Sequence, residues 1–279
     1  DEELTKFHMD IAASIQKTIE EVILKITKYL SNKYKIDNLC LAGGVALNCV
    51  ANGKILKSQH FKNIWVQPAS GDAGCALGAA LLIWYKNFKN KREIINNDSM
   101  KGSYLGPKYS SKEIQESLIM SGAKFKIFED KDIFSKTSNA LIKGNAVGWF
   151  QGSMEFGPRA LGARSILADP RSEKMQKILN LKVKYRESFR PFAPSILIED
   201  LSQWFELDCD SPYMLICANL KKNYIIENTD YEKKLFGIDR LNIKRSIIPA
   251  VTHLDSSARI QTVSKDINPR YHSLITKFK

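Results

Sequence analysis

The stretch Ile36–Phe88, "IDNLCLAGGVALNCVANGKILKSQHFKNIWVQPASGDAGCALGAALLIWYKNF", decides how this chain is read. It opens with a short apolar run, 36–42, closed by Gly43 and Gly44, and passes into a helix-forming run, "GVALNCVANGKILKSQ", over 44–59. A second apolar run, "NIWVQP" at 63–68, ends at Pro68. The chain then turns at Gly71 in "SGDAG" and enters a small-residue helix that continues to Phe88. Strand, glycine turn and helix, twice in succession, is the pattern of an α/β fold, in which ligands collect at the carboxyl ends of the strands. Upstream, Ile11, Ile15, Ile19, Val22, Ile23, Ile26 and Leu30 recur at steps of three or four, so the spacing predicts one long helix over 3–33.

Downstream the character changes. Residues 89–111 are polar, charged and aperiodic and read as a linker, drawn most tightly at 91–108. A second α/β region follows, giving two units over 1–90 and 109–279. Within it the pattern predicts helices near 112–121, 131–143 and 172–181. Strands are expected near 124–128, 146–150, 195–198 and 213–218, and a further one over 251–263 with a turn or bulge at Ser256–Ser257.

The chain has 279 residues, 44% apolar and 26% charged, which suits a soluble protein of two domains. No run of eighteen apolar residues and no secretory leader is seen, so a cytoplasmic protein with no membrane partner is expected. Five cysteines lack metal spacing and read as buried small hydrophobes in a reducing compartment.

The formal charge is +12, and half of it sits in one stretch: Arg159 to Arg190 carries nine basic residues against three acids. These bases lie beside Gly157, Pro158, Gly162, Phe189 and Pro191, which fix the backbone, rather than on a solvated helical face. In an extended segment Lys184, Arg186 and Arg190 share one parity and point the same way. Guanidinium groups on a rigid face suit bidentate capture of phosphate oxygens. Arg259 is a further arginine in a short strand, and His253, read first as a core histidine, is placed to orient a phosphate or a carbonyl. Nucleic acid is the competing ligand. The charge forms a patch rather than a stripe, and the flanking Trp149, Phe150 and Phe156 sit in apolar context, so no nucleic acid partner is expected.

Gly43 and Gly44 read either as a strand–helix turn that needs glycine for steric reasons or as free backbone amides near a helix start, where an anion is favoured, and Asn48 follows one turn on with an amide able to bond a base or ribose. Asp72 reads either as a helix cap or as a carboxylate aimed into a cleft toward a metal. His8, His60, His253 and His272 are isolated, so local sequence supplies no partner ligands for it.

"LAGGVALNCVANGKI", "QPASGDAGCALGAAL", "GWFQGSMEFGPRALGARSILADPR", "KYRESFRPFAPSIL", "PAVTHLDSSARIQTV" and "NPRYHSLITKF" together resemble the O-carbamoyltransferases of nodulation-factor and antibiotic biosynthesis, in order and over nearly the whole chain. The resemblance implies part of an actin/hexokinase-like (ASKHA) domain followed by part of a YrdC-like domain. It implies that carbamoyl phosphate and ATP give carbamoyl-adenylate in the second unit, and that the first transfers the carbamoyl group to a hydroxyl of a sugar or antibiotic. It carries Gly43, Gly44 and Asn48 over to nucleotide contact and Asp72 to a divalent metal (iron, zinc or magnesium). Lys184 and Arg186 match the family's Lys-x-Arg element, and Arg159, Arg190 and Arg259 match further phosphate-binding positions. The family's metal histidines precede the position of Asp1, and an Asn-Thr-Ser-Phe-Asn element follows that of Lys279. Ser256–Ser257 stands where the family commonly has Gly–Thr. The expectation is a piece of a larger enzyme that is inactive alone and prone to self-association through uncovered apolar surface. A non-catalytic nucleotide- or RNA-binding module is the alternative from another class. An ASKHA sugar kinase is a third reading, disfavoured because it leaves the basic second unit without a counterpart.

Overall fold

A computed structural model describes residues 4–94 and 98–279. The expected start of the first helix at residue 3, and residues 95–97 of the expected linker, lie outside the described residues.

The chain opens with α1, Lys6–Tyr34, ended by Lys35 in the left-handed conformation. Its apolar stripe divides in an unexpected way. Ile19, Ile23 and Leu30 turn inward with Glu20 and Thr27, whereas Ile11, Ile15, Val22 and Ile26 are exposed. The face turned to α2 (Cys49–Ser58) is largely polar: Glu20 is buried against Lys54, and Gln16 and Asn48 exchange amide hydrogen bonds.

The two expected strands of the first unit form as β1 (Asn38–Leu41) and β2 (Asn63–Val66), paired in parallel. The helix read over 44–59 is two pieces. A tight turn of helix, Gly44–Leu47, is followed by α2, and Asn48 sits at the joint as the α2 N-cap, its Oδ1 accepting from the Ala51 amide at 3.1 Å. The third helix, α3, runs from Gly74 to Leu82 and widens into an i→i+5 turn that closes at Phe88. None of the α3 residues is buried.

In the second unit α4 (Ser111–Met120) and α5 (Asp130–Ile142) form close to where expected. Ser110 and Glu113 make a reciprocal cap that starts α4. The strand expected at 124–128 is absent: that segment has no ladder partner and stays irregular. The helix expected over 172–181 shrinks to α6 (Met175–Ile178) and an i→i+5 turn through Val183. β3 (Val147–Phe150) pairs antiparallel with β4 (Arg164–Leu167), a strand the sequence pattern did not announce.

After β5 (Ser195–Leu197) come α7 (Leu201–Trp204), β6 (Ile216–Asn219) and α8 (Asp230–Lys234); the chain ends with β7 (Ser257–Val263) and α9 (Pro269–Phe278). The sheet order is β5-β7-β6, with β5 parallel and β6 antiparallel to β7. The strand expected over 251–263 is thus confined to 257–263. A turn precedes it, closed by the Ser256 amide on the His253 carbonyl at 3.1 Å, and Ser256 adopts φ 62°, a conformation that glycine takes more easily.

Phe205, Leu220 and Ile260 centre one core cluster, and Trp149, Val263, Tyr271 and Leu274 a second beneath α5 and α9. A third joins the units: Ala46 and Val66 pack with Met100, Tyr213 and Leu215. Gly53 brings α2 so close to β6 that any Cβ there would strike the Cys217 carbonyl oxygen. Of the five cysteines only Cys217 is buried; Cys40 and Cys75 are exposed, because their strand and helix are covered on one side only. Among the described residues no helix is long and apolar enough to cross a membrane.

Candidate functional site

A cavity of about 400 Å³ lies between the β3–β4 connection, the loop after α6 and the face of β7. Arg159, Lys184, Arg186 and Arg259 all line it, beside an apolar wall that includes Leu179, Phe192 and Leu274. Among the described residues none of these four cations is ion-paired.

Arg159 is set by an elaborate turn. The Glu155 side chain is fully buried beneath the loop, and its Oε1 accepts from the amides of Leu161 (2.6 Å) and Ala163 (2.9 Å). Its other oxygen faces Arg164 Nε at 3.3 Å. Gly157, at φ 132°, lets the loop lie against the Pro68 carbonyl, and Gly162, at φ 100°, sits where a side chain would strike the Tyr271 ring. Arg159 donates from Nη2 to the Leu47 carbonyl at 3.3 Å, and its buried Nε has no partner among the described residues. Burial and the neighbouring Arg259 both draw its pKa below the usual guanidinium value. A guanidinium remains cationic even so, and two like charges facing one cavity with no acid between them favour an anion there.

Arg186 is held by one buried side chain. Asn180 accepts from Arg186 Nε at 2.7 Å and donates to the Ser188 and Arg190 carbonyls at 2.9 and 2.8 Å. The guanidinium lies 5.1 Å from the centre of the Phe192 ring. Burial, then Arg190 and Arg259, lower its pKa. Lys184 lines the cavity from the exposed end of the α6 turn.

The shared parity expected of Lys184, Arg186 and Arg190 does not occur. Tyr185 takes φ 48° and reverses the backbone, so the segment is an irregular loop, not a strand. Arg190 is not a lining residue; its Nε pairs with Glu187 Oε2 at 2.8 Å. Among the described residues the one carboxylate on the cavity wall, Asp169, is committed to Arg171 through contacts of 2.6 to 3.1 Å.

His253 lies outside the lining, its Nδ1 3.1 Å from Ser257 Oγ, which in turn donates to Asp255 at 2.6 Å. Burial holds the imidazole below the ordinary histidine range; Arg259 and Arg245 push the same way and Asp255 opposes them.

The first-unit candidates are placed differently. Gly43 and Gly44 are exposed at an open turn, with Gly43 at φ 97° and its amide already bonded to the Ser70 carbonyl at 2.8 Å. The Asn48 amide is spent on capping α2 and on Gln16. Asp72 is exposed in the turn before α3 and does not cap it; the N-cap is Ala73. Among the described residues no group of three His, Cys, Asp or Glu side chains is placed to hold a metal, so these residues do not fit one and no step is assigned to it.

Glu155 and Asn180 escaped the sequence reading. The only signal for Glu155 was an acid just before a Gly–Pro turn; for Asn180 there was none.

Residues 138–279 match the family model of the carbamoyltransferase C-terminus, and residues 1–81 that of the carbamoyltransferase N-terminus. An uncharacterized protein of Synechocystis sp. is 53% identical over 99% of this chain and 45% of that protein. The nodulation protein NolNO of Sinorhizobium fredii is 39% identical over 99% of this chain and 38% of its own length. The 3'-hydroxymethylcephem-O-carbamoyltransferase of Streptomyces clavuligerus is 32% identical over 86% of this chain and 39% of its own length. The chain therefore spans less than half the length of these relatives. It belongs to the carbamoyltransferase family.

Proposed function

We propose that this member of the carbamoyltransferase family works within an O-carbamoyltransferase, and that its basic cavity is where carbamoyl phosphate and ATP are turned into carbamoyl-adenylate. Water is consumed as inorganic phosphate is released from carbamoyl phosphate, and the carbamate oxygen then displaces pyrophosphate from the α-phosphorus of ATP. The carbamoyl group finally passes to a hydroxyl of a small molecule such as a sugar or an antibiotic, with AMP as the leaving group. The observation that carries this reading is the convergence of Arg159, Lys184, Arg186 and Arg259, without counter-ions among the described residues, on one cavity.

Arg159 and Arg259 are set to take the phosphate charge, because among the described residues neither is spent on a carboxylate. Arg186, pinned by Asn180 and backed by Phe192, holds its fork in one orientation, which favours bidentate capture. Lys184, on the exposed rim, adds a mobile point charge. Fixed cations of this kind stabilise charge as it builds on a leaving pyrophosphate. The apolar wall suits the flat face of a base.

Titration calorimetry with pyrophosphate tests the reading. Arg259→Ala is expected to weaken binding at least tenfold, about 1.4 kcal/mol, while Arg190→Ala, outside the cavity, changes it less than twofold. Equal losses in the two variants would refute the assignment. Displacement of pyrophosphate by single-stranded RNA, with the steep salt dependence of a polyanion, would favour the nucleic-acid alternative instead.

A further inference from the structure

Two cysteines far apart in the sequence come together where α2 packs on β6. Cys49 is the first residue of α2, and Cys217 lies in β6. The helix is seated on the strand by Gly53, whose missing side chain admits the Cys217 carbonyl, and by Asn52, which donates to the Leu215 carbonyl at 2.9 Å. Cys49 stands one turn before Gly53 on the same helix, which places its thiol beside that of Cys217.

The surroundings of this pair are cationic. Cys217 stands directly across the ladder from Arg259. Arg159 bonds the Leu47 carbonyl, two residues before Cys49, and keeps a buried Nε without a partner among the described residues. The α2 N-terminus adds its own partial positive charge.

From this cluster we infer that Cys49 and Cys217 form a redox-active dithiol that hydrogen peroxide oxidises to a disulfide, fastening α2 of the first unit to β6 of the second.

The Cys49 thiolate attacks one oxygen of the peroxide, the O–O bond breaks, and the departing hydroxide takes up a proton to leave as water. Cys49 is oxidised to the sulfenic acid as the peroxide is reduced. The Cys217 thiol then gives up its proton, its sulfur attacks Cys49 Sγ, and the S–O bond breaks with loss of a second water. Two thiols and one peroxide yield one disulfide and two waters.

The molecule carries its own comparison. Cys209 is also half-buried, but it sits among acids. Burial and the neighbours Asp208 and Asp210 raise its pKa. The neighbouring Cys217 thiol, and beyond it Arg259 and Arg159, lower that of Cys49, while Cys217 is raised as the partner that keeps its proton. Cys49 is therefore the attacking sulfur and Cys217 the resolving one.

The test is brief exposure of the reduced protein to hydrogen peroxide at pH 6.5, a maleimide quench and peptide mapping without reductant. A Cys49–Cys217 peptide is expected as the main product, formed at least tenfold faster than Cys209 is modified. In Cys217→Ala the sulfenic acid on Cys49 persists and is trapped by dimedone; in Cys49→Ser neither product forms. Arg259→Ala slows bridge formation several-fold at this pH and less at pH 9, where thiolate forms without help. Should Cys217→Ala not fold, Cys217→Ser takes its place. Oxidation led by the exposed Cys40 or Cys75 with no 49–217 peptide, or equal rates at Cys49 and Cys209, would overturn the inference.

Discussion

Phe7 and Phe205 are the same residue in two kinds of surroundings. Phe7, near the start of α1, is 68% exposed; Phe205, after α7, is 1% exposed. The contrast holds across their units. In residues 6–88 the outer face of α1 and most of α3 stand open, with Leu82, Trp84 and Phe88 exposed. In residues 138–279 the side chains of Phe205, Ile260 and Leu274 are closed off by neighbouring strands and helices. Both units show apolar periodicity in their sequences. Periodicity says which residues share a face; whether anything lies against that face depends on other segments.

The pair of phenylalanines sharpens this contrast most. Phe205→Ala is expected to cost about 4 kcal/mol, through lost transfer energy and the cavity left behind. Phe7→Ala is expected to stay within about 0.5 kcal/mol. Urea unfolding of the two variants reads the difference directly, and a large loss at Phe7 would mean that the face of α1 is covered in solution.

The closed unit has a second vulnerable point in the loop that carries Arg159. Glu155→Ala would strip the buried amides of Leu161 and Ala163 of their acceptor. A loss of about 3 kcal/mol is expected, since buried donors left unpaired bear the desolvation penalty. Pyrophosphate affinity should fall in step, as Arg159 loses its frame. An unchanged melting temperature would show that the loop is held elsewhere.

The smallest effect concerns pH. His253, in the closed unit, has a folded pKa below its unfolded value of about 6.5. As pH falls through that value the unfolded chain takes up a proton that the folded one refuses. The folded state therefore loses stability between pH 6.5 and the lower folded pKa, and is unaffected by this group above it. His253→Gln should flatten that part of the profile in melts run from pH 7.5 to 5.5. An equal decline in both proteins would place the titration elsewhere.

Several local features were legible in advance. The apolar runs closed by Gly43 and Pro68 gave β1 and β2, because a strand bounded by a turn residue needs little else to declare itself. α4 was announced by the helix pattern near 112–121, and the structure adds the reciprocal cap of Ser110 and Glu113 that starts it. The strand at 124–128 failed for the opposite reason: alternation suits a strand, but a strand exists only with a ladder partner, and none arrives. The parity of "KYRESFR" failed because Asn180 pulls three later residues around itself and Tyr185 reverses the chain.

At the cavity the division is sharper. That a surplus of fixed cations lies in Arg159–Arg190 is written in the composition. Which of them act together is not. Arg159 and Arg259 meet across a hundred intervening residues, while Arg190, close to Arg186 in sequence, turns to Glu187 instead. Residue types, turns and caps follow from the chain itself, since backbone sterics and short-range hydrogen bonds act within a few residues. The shared cavity, the open face of α1 and the meeting of Cys49 with Cys217 were decided by tertiary structure, because burial and charge depend on which distant segments the fold brings within a few ångströms.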